Sequence, residues 1–114
     1  FCGMPLPPRL EGTSFAPLLD KPGQPWKTAA FSQYLRPGKP PIMGRSIRTE
    51  QWRYTEWSEG KRGAELYDHV SDPQEFHNLA TQPESQRVIA ELQRALRAKA
   101  GGAAPKAPFN PARL

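Results

Sequence analysis

The stretch from Met43 to Trp57 constrains the fold more than any other part of this chain. Its second half, WRYTEW, alternates bulky and polar side chains with a period of two, which is typical of a half-buried β-strand. Only the polar residues 49–51 separate it from a second strand-like segment around Ile47, and so short a connection predicts a β-hairpin with a tightly constrained register. The alternation then divides the second strand between two faces, one with Trp52 and Tyr54 and the other with Arg53, Thr55 and Trp57.

Two more strands are predicted, one on each side of this hairpin. Residues 28–36, TAAFSQYLR, alternate in the same way and form the first strand. That strand ends at the loop 37–41, which is rich in proline, because proline cannot donate a ladder hydrogen bond. Residues 65–67 form a short last strand after a charged turn over residues 58–63. The sequence therefore predicts four antiparallel strands.

One helix is predicted near the C-terminus. Thr81 and Glu84 have the spacing of a capping box, and Pro83 is tolerated in a first helical turn. An apolar stripe at helical spacing follows, and Gly101-Gly102 ends the helix. The stripe, which would cover one face of the sheet, consists of Val88, Ile89, Leu92 and Leu96. The predicted fold class is α+β, with a four-stranded antiparallel sheet covered by one C-terminal helix.

The pattern of proline and apolar residues divides the chain into three parts. Residues 1–27 contain the end of an apolar helix at Gly3 and a proline-rich connection. Residues 28–100 carry the sheet and the helix. Residues 101–114 have too few apolar side chains to pack and are predicted to form a disordered tail.

The first of these parts also holds a short helical segment over residues 15–19. Its apolar side chains are expected to point inward, and they are Phe15, Leu18 and Leu19. The chain opens at Phe1 without an initiator methionine or a signal-peptide pattern, which is typical of a fragment.

The net charge of +5 raises the question of a polyanionic partner. The arginines and lysines are spread from Arg9 to Arg113, mostly with an acidic residue within a few positions, whereas nucleic-acid-binding domains concentrate them in a stripe. Nucleic acid is therefore not the expected partner. No run of about 18 apolar residues is present, so no membrane span is predicted. The single cysteine, Cys2, excludes an internal disulfide.

Catalytic groups are scarce in this sequence. Cys2 has no histidine nearby, and a cysteine buried at the end of a helix is the simpler interpretation. A polar segment holds five potential metal ligands, but their spacing matches no zinc or calcium loop, and an Asp-Pro turn explains Asp72 equally well. These five residues are Asp68, His69, Asp72, Glu75 and His77. No catalytic residue and no metal ligand is predicted.

Two groups of side chains remain as candidates for binding. The aromatic residues of the hairpin could form a stacking platform for bases or sugars, or could simply belong to the core; they are Trp52, Tyr54 and Trp57, with Arg48 and Arg53 beside them. Four cations on or beside the proline loop could converge on an anionic substrate or form an ordinary solvated face. They are Arg36, Lys39, Arg45 and Arg48, of which Arg36, Lys39 and Arg48 are the predicted substrate-binding residues.

The order of these segments resembles the C-terminal part of the type I sulfatases. LPPRLEGTSFAPLL is followed by AAFSQYLRPG, then by MGRSIRTEQWRYTEW, and then by AELYDHVSDPQEFHNLA and a helix. The most specific pieces are SQY with RP, MG with SIRT and RYT, and ELY with DP and HN. The resemblance covers about residues 1–98, and among the sulfatases it is greatest to iduronate-2-sulfatase and its bacterial relatives.

The resemblance implies a sulfuric ester hydrolase. In this family a formylglycine, made from the cysteine of a Cys-x-Pro-x-Arg motif, acts together with a bound calcium ion, and both belong to a larger N-terminal domain. Cys2 is followed by Met4 and Leu6 where the motif has its proline and arginine, so it is not the modified cysteine. The resemblance therefore implies no cofactor in these residues and an inactive chain when it is isolated.

The expected partners follow from the same resemblance. They are the N-terminal catalytic domain of the same protein, on which this chain is expected to pack near the mouth of the pocket, and a sulfated saccharide such as a glycosaminoglycan, whose entrance it would line. The loop after Arg36 is much shorter than in the animal iduronate enzymes, and Lys39 is the nearest candidate for a substrate contact there. A periplasmic or secreted location is implied, lysosomal in the animal relatives. The alternative is a free-standing basic module that captures sulfated or acidic glycans through Arg36, Arg45, Arg48 and the hairpin aromatics.

Overall fold

The structure is a computed structural model in which Leu10 and residues 12–100 are described. These residues form strands β1 (Ala30–Arg36), β2 (Ile42–Arg48), β3 (Trp52–Trp57) and β4 (Ala64–Asp68), and helices α1 (Ala16–Asp20) and α2 (Gln86–Ala100), with a 3-10 turn (Pro83–Ser85) before α2. The strands form one antiparallel sheet in the order β1-β2-β3-β4. The predicted fold class, a four-stranded antiparallel sheet with one C-terminal helix, is confirmed.

The β2–β3 hairpin forms as predicted, with Gly44 opposite Trp57 at its open end. Thr49 closes the three-residue connection, since its N–H donates to the Trp52 carbonyl at 2.8 Å and its hydroxyl accepts the Trp52 N–H at 2.8 Å. A threonine hydroxyl that takes the place of a backbone acceptor stabilises a tight turn. The register then places Tyr54 and Trp57 on opposite faces of the sheet.

The core lies between the sheet and α2. All four side chains of the predicted stripe are buried, and they pack against three fully buried side chains that the register aligns, one from each of β2, β3 and β4. Burial of a side chain of this size contributes about 1.5–3 kcal/mol, so this cluster is the chief stabilising feature of the described residues. The stripe is Val88, Ile89, Leu92 and Leu96, and the aligned strand residues are Ile47, Tyr54 and Leu66.

A polar network crosses the same interface. The hydroxyl of Tyr54 donates to Glu56 Oε2 at 3.2 Å and accepts from Gln93 Nε2 at 2.7 Å. Arg97 brings its guanidinium within 3.8 Å of the same Glu56 oxygen. Burial of the ring, partly opposed by the Gln93 hydrogen bond, raises the pKa of Tyr54 to about 12, so its hydroxyl stays protonated at neutral pH.

The start of the C-terminal helix differs from the prediction. Helical structure begins with the 3-10 turn at Pro83, and its N-cap residue is Gln82, which makes no side-chain capping bond. Proline disfavours helical geometry in the residue before it, and Gln82 is accordingly extended, at φ −77° and ψ 133°. The capping box predicted from Thr81 and Glu84 is therefore wrong, because the helix starts one residue too late for Thr81 to cap it.

Helix α1 forms close to the predicted position, but its apolar side chains do not point into a core. Phe15 and Leu19 each expose 60% of their surface, and α1 has no buried residue. The predicted inward orientation is therefore wrong for these two side chains, while Leu18 is half-buried. The reason is that no other element in the described part of the chain covers this helix.

The remaining differences concern the ends of elements. β1 starts at Ala30 rather than at residue 28, and β4 covers residues 64–68 rather than 65–67. The helix end expected at Gly3, the Gly101-Gly102 stop and the disordered tail lie outside the described residues, and the three-part division of the chain stays a prediction. None of the helices in the described residues has the length and apolar character needed to cross a membrane.

Candidate functional site

Two of the predicted substrate-binding residues lie at one end of the sheet. β1 ends there at Arg36, the loop 37–41 follows with Lys39, and the turn 58–63 joins β3 to β4 at the same end because neighbouring strands are antiparallel. Both cations are exposed. We call this region the proline-loop end, defined by Arg36, the loop 37–41 and the turn 58–63.

The Arg36 side chain is held in place by Trp57. Its guanidinium carbon lies 4.1 Å from the centroid of the indole ring, which is a cation–π contact across β2. The indole lies directly over Gly44, where a Cβ atom would come within 2.5 Å of the ring, so this packing requires glycine. Trp57 Nε1 also donates to Glu65 Oε1 at 3.4 Å. A guanidinium stacked in this way presents its N–H edge to a carboxylate or a sulfate.

A cleft of about 240 Å³ lies at the same end, on the face of the sheet that carries α2. Its lining contains two cations, two carboxylates, a hydroxyl and a thioether, from Arg45, Lys61, Glu56, Glu59, Ser58 and Met43. The register places Arg45 on the opposite face from Arg36. The proline-loop end therefore carries cations on both faces of the sheet.

Nothing in the sequence selects Lys61 as a residue of this region. The turn 58–63 contains both acidic and basic residues, and their spacing does not indicate which of them would contribute to a binding site. The hairpin register could have indicated its position. Once Gly44 pairs with Trp57, the turn 58–63 must begin beside Met43, and the Ser58 N–H does donate to the Met43 carbonyl at 2.8 Å. Lys61 follows within that turn.

Arg48, the third predicted substrate-binding residue, lies at the other end of the sheet. Arg36 on β1 pairs with Ile42 on β2, and Arg48 lies six residues beyond Ile42 on β2. At about 3.3 Å per residue, Arg48 is therefore about 20 Å from the end of the sheet where Arg36 lies. The structure therefore separates Arg48 from Arg36 and from the loop that carries Lys39.

Arg48 belongs instead to a chain of charged side chains at the hairpin turn. Its guanidinium donates to the carbonyls of Thr49 and Glu50 and lies 3.0 Å from His69 Nδ1. Because arginine only donates, Nδ1 is the acceptor, and Nε2 carries the proton that it donates to Glu75 Oε1 at 2.6 Å. Glu75 also forms an ion pair with Arg53. These bonds tie the hairpin to the segment after β4.

The polar segment after β4 uses its carboxylates to close a loop. The N–H groups of His77 and Phe76 donate to Asp72 at 2.8 and 3.1 Å, and these bonds, led by that of His77, lower the pKa of Asp72. Asp72 therefore accepts backbone N–H bonds, as the sequence interpretation expects, but from residues four and five positions later rather than from the second residue on as in an Asx turn. Among the residues that the structure describes, no three His, Cys, Asp or Glu side chains form a metal-binding group. The calcium ion implied by the sulfatase resemblance therefore has no fitting ligand set in these residues.

The aromatic side chains of the hairpin do not form a common platform. Tyr54 is fully buried in the core, and Trp52 packs against the core on the same face. Trp57 lies on the opposite face, because it is an odd number of residues from both. The stacking-platform alternative is therefore wrong, and the core interpretation is confirmed for Trp52 and Tyr54.

Comparison with known proteins agrees with the resemblance seen in the sequence. The sequence model of a family described as N-sulphoglucosamine sulphohydrolase, C-terminal, matches residues 1–101. The chain is 36% identical over 94 residues to a Delta 4,5-hexuronate-2-O-sulfatase of Bacteroides thetaiotaomicron, a match that covers 78% of this chain and 19% of that protein. It is 30% identical over 97 residues to an ulvan-active sulfatase of Formosa agariphila, covering 82% of this chain and 19% of that protein.

A solved structure shows the same relationship in three dimensions. The fold matches a 2-O GAG sulfatase with a TM-score of 0.69 and 32% sequence identity, over 86% of this chain and 21% of that one. The chain thus spans about a fifth of the length of the relatives that it matches. Since the family model extends over nearly the whole chain and the four-stranded fold is shared, the chain belongs to the N-sulphoglucosamine sulphohydrolase C-terminal family and is a C-terminal part of a sulfatase.

Proposed function

We propose that the protein to which this domain belongs hydrolyses sulfate esters of an acidic saccharide, and that this domain supplies cations at the entrance to the substrate pocket. One relative is a hexuronate-2-O-sulfatase and one structural neighbour is a 2-O GAG sulfatase. A substrate of that class carries carboxylates besides its sulfate. The observation that carries the proposal is the guanidinium of Arg36, stacked on Trp57 and next to the loop that bears Lys39.

The stacked arrangement suits anion binding for two reasons. A guanidinium that already lies on an aromatic ring loses less side-chain freedom when it binds, and its planar fork matches the two oxygens of a carboxylate or sulfate. Both Arg36 and Lys39 are exposed, so they can bind an anion without the large desolvation cost of a buried charge.

Binding of this kind orients the substrate and does not perform the chemical step. An interaction made equally in the bound substrate and in the transition state lowers KM and leaves kcat unchanged. Arg48 takes no part in the proposal, because its guanidinium already bonds to the hairpin turn and to His69. The proposed binding residues of this domain are Arg36 and Lys39.

The reacting groups are proposed to lie in a larger N-terminal domain of the same polypeptide. Cys2 lacks the motif of a formylglycine precursor, and the described residues contain no group of three acidic, histidine or cysteine side chains placed to hold a metal ion. We therefore expect no sulfate release from an aryl sulfate when the 114-residue chain is purified and supplied with calcium. Measurable turnover would show that this chain contains catalytic groups of its own.

The decisive experiment uses the complete polypeptide and an unsaturated uronic disaccharide carrying a 2-O-sulfate. The wild type should release sulfate. Arg36→Ala should raise KM for this disaccharide by about tenfold or more, the loss expected for one charge-assisted hydrogen bond, and Lys39→Ala should act in the same direction. Neither change should alter kcat for a neutral aryl sulfate. Arg94→Ala, on the exposed side of α2, is the matched control and should leave both reactions unchanged.

Four results would contradict the proposal. Equal losses on the charged and neutral substrates would assign Arg36 to the scaffold, as would a lower melting temperature without a change in substrate preference. No sulfate release by the wild type would reject the activity itself. Tight binding of a sulfated glycan by a wild type that releases no sulfate would favour the free-standing binding module instead.

A further inference from the structure

β1 is the least buried strand of the sheet. All seven of its residues are exposed, whereas each of the other three strands contains buried residues. The cluster under α2 draws its buried strand residues from β2, β3 and β4 only. On the same face, β1 carries Phe31 and Leu35, which expose 39% and 53% of their surfaces. The apolar face of the sheet therefore extends beyond the helix that covers it.

The backbone of β1 is also unpaired on its outer side. Two bonds at the ends of the hairpin, Thr49 N–H to Trp52 and Ser58 N–H to Met43, show that the odd-numbered residues of β2 bond to β3. Because backbone hydrogen bonds alternate between the two sides of a strand, the peptide groups of the even-numbered residues of β2 bond to β1. Their partners in β1 are also even-numbered residues. The N–H and C=O groups of three residues must point outward, without a partner in the described part of the chain, and these are Phe31, Gln33 and Leu35.

We propose that this free edge, the β1 edge formed by Phe31, Gln33 and Leu35, is the docking surface for the larger catalytic domain of the same polypeptide. This inference rests on the proposed function. The catalytic domain supplies hydrogen-bonding groups to the three outward-pointing peptide units and apolar contacts to Phe31 and Leu35.

Two observations favour this occupant. A seven-residue edge with exposed apolar side chains and free peptide groups pairs readily with another chain, and proteins normally cover such an edge. The matched relatives are about five times longer than the part this chain covers, so a domain of the same polypeptide is available at high effective concentration. Docking at β1 also places Arg36, the last residue of that strand, at the seam between the two domains, where a pocket entrance would lie.

Residue-resolved amide exchange on the complete polypeptide tests the docking directly. The outward amides of Phe31, Gln33 and Leu35 should exchange at least about a hundredfold more slowly than in an unstructured peptide. Ser32 and Tyr34 serve as internal references, since the β1–β2 ladder protects their amides in either case. Fast exchange at the three outward amides beside slow exchange at the references would overturn the proposal. Protection that disappears when dilution converts an oligomer to a monomer would assign the edge to a second copy, and would overturn it too.

A pair of variants gives an independent test. Leu35→Asp should lower the melting temperature of the complete polypeptide by about 4 °C or more, whereas Val70→Asp, at a position that is 76% exposed and remote from β1, should change it by less than about 1 °C. In the 114-residue chain both variants should behave alike. A drop for Leu35→Asp that is the same in the isolated chain would show an intrinsic effect on the strand and would reject docking.

The two proposals fail in different ways. If the wild-type polypeptide releases no sulfate from any sulfated saccharide, the proposed function is rejected, and the exchange of the three outward amides still decides whether β1 is covered. If sulfate release is normal and the three amides exchange freely, the function stands and the docking surface is wrong.

Discussion

Residues 12–41 and residues 42–98 contain similar apolar side chains, but only the second region builds a core. Every buried residue in the described part of the chain lies after Pro41. In the first region Phe15, Leu19 and Leu35 each leave more than half of their surface exposed. Leucine and phenylalanine are equally apolar in both regions, so the difference is in what covers them. In the second region α2 lies over the sheet, and in the first no described element does the same.

The comparison shows how far an amphipathic pattern can be interpreted. Alternation in β1 and in β3 is equally clear, and both segments form strands. β3 is central and lies under α2, while β1 is an edge strand beyond the reach of the helix. An alternating pattern predicts that one face of the strand is apolar and will be buried. It does not show whether the element that buries this face belongs to the same segment of chain. Four measurements test this contrast.

The largest effect should come from the core of the second region. Leu92→Ala removes a fully buried side chain from the interface of α2 with the sheet, and should lower the free energy of unfolding by about 2–5 kcal/mol. Urea unfolding followed by circular dichroism measures it. A loss below about 0.5 kcal/mol would show that α2 does not dock, and would remove the difference between the two regions.

The pH dependence of stability tests the polar network in the same core. The pKa of Tyr54 is about 12 in the folded protein because of burial, above its usual value of about 10. Between these values the folded state holds a proton that the unfolded state releases, so the stability contributed by this group is complete below about pH 10 and is lost as pH rises towards 12. The expected loss of unfolding free energy is about 3 kcal/mol, since each unit of pKa difference contributes about 1.4 kcal/mol.

Two variants assign that loss to its source. Tyr54→Phe should flatten the decline between pH 10 and 12, whereas Tyr67→Phe should leave most of it, since Tyr67 is only partly buried. An unchanged pH profile in Tyr54→Phe would place the titrating group elsewhere.

A smaller effect is expected on the open face of the sheet. Gly44→Ala forces the indole of Trp57 away from β2, which should cost about 1–3 kcal/mol and weaken the contact between Trp57 and Arg36. Tryptophan fluorescence and thermal melting report the two consequences. Gly23→Ala, where nothing lies within 4 Å of the added methyl group, is the control and should be close to neutral. Equal effects of the two substitutions would contradict the close packing of Trp57 on Gly44.

The smallest effect should come from the first region. Leu35→Ala in the 114-residue chain should change the free energy of unfolding by less than about 0.5 kcal/mol, because more than half of the side chain is already exposed to solvent. Urea unfolding beside Leu92→Ala gives the contrast in one experiment. A cost comparable to that of Leu92→Ala would mean that β1 is packed within this chain and that the two regions do not differ.

Much of the architecture followed from local pattern. The period of two around Trp52 and the three-residue connection before it were sufficient for the hairpin, and the helical spacing around Leu92 was sufficient for the helix that covers it. The helix does not start at the capping box that the sequence predicts from Thr81, because the effect of Pro83 on its preceding residue outweighs the spacing of a capping box.

The candidate site was predicted less completely. Arg36 and the loop with Lys39 are adjacent in sequence and lie at the same end of the sheet, whereas the antiparallel register places Arg48, which the sequence groups with them, at the far end of β2. Lys61 gave no signal of its own, since its position depends on how the turn 58–63 folds back on the start of β2. Residues that are close in the chain can be grouped from sequence, whereas residues on different strands need the register.

The sequence by itself determined the secondary structure, the fold class and the sulfatase family, because these depend on periodicity and on motifs that are continuous along the chain. Tertiary structure alone decided which cations lie at the same end of the sheet, that Trp57 and Gly44 support Arg36, and that the described residues leave the edge of β1 uncovered. The physical reason is that strand pairing and burial join residues distant in sequence, and an exposed apolar side chain has the same chemical character as a buried one until its neighbours are known.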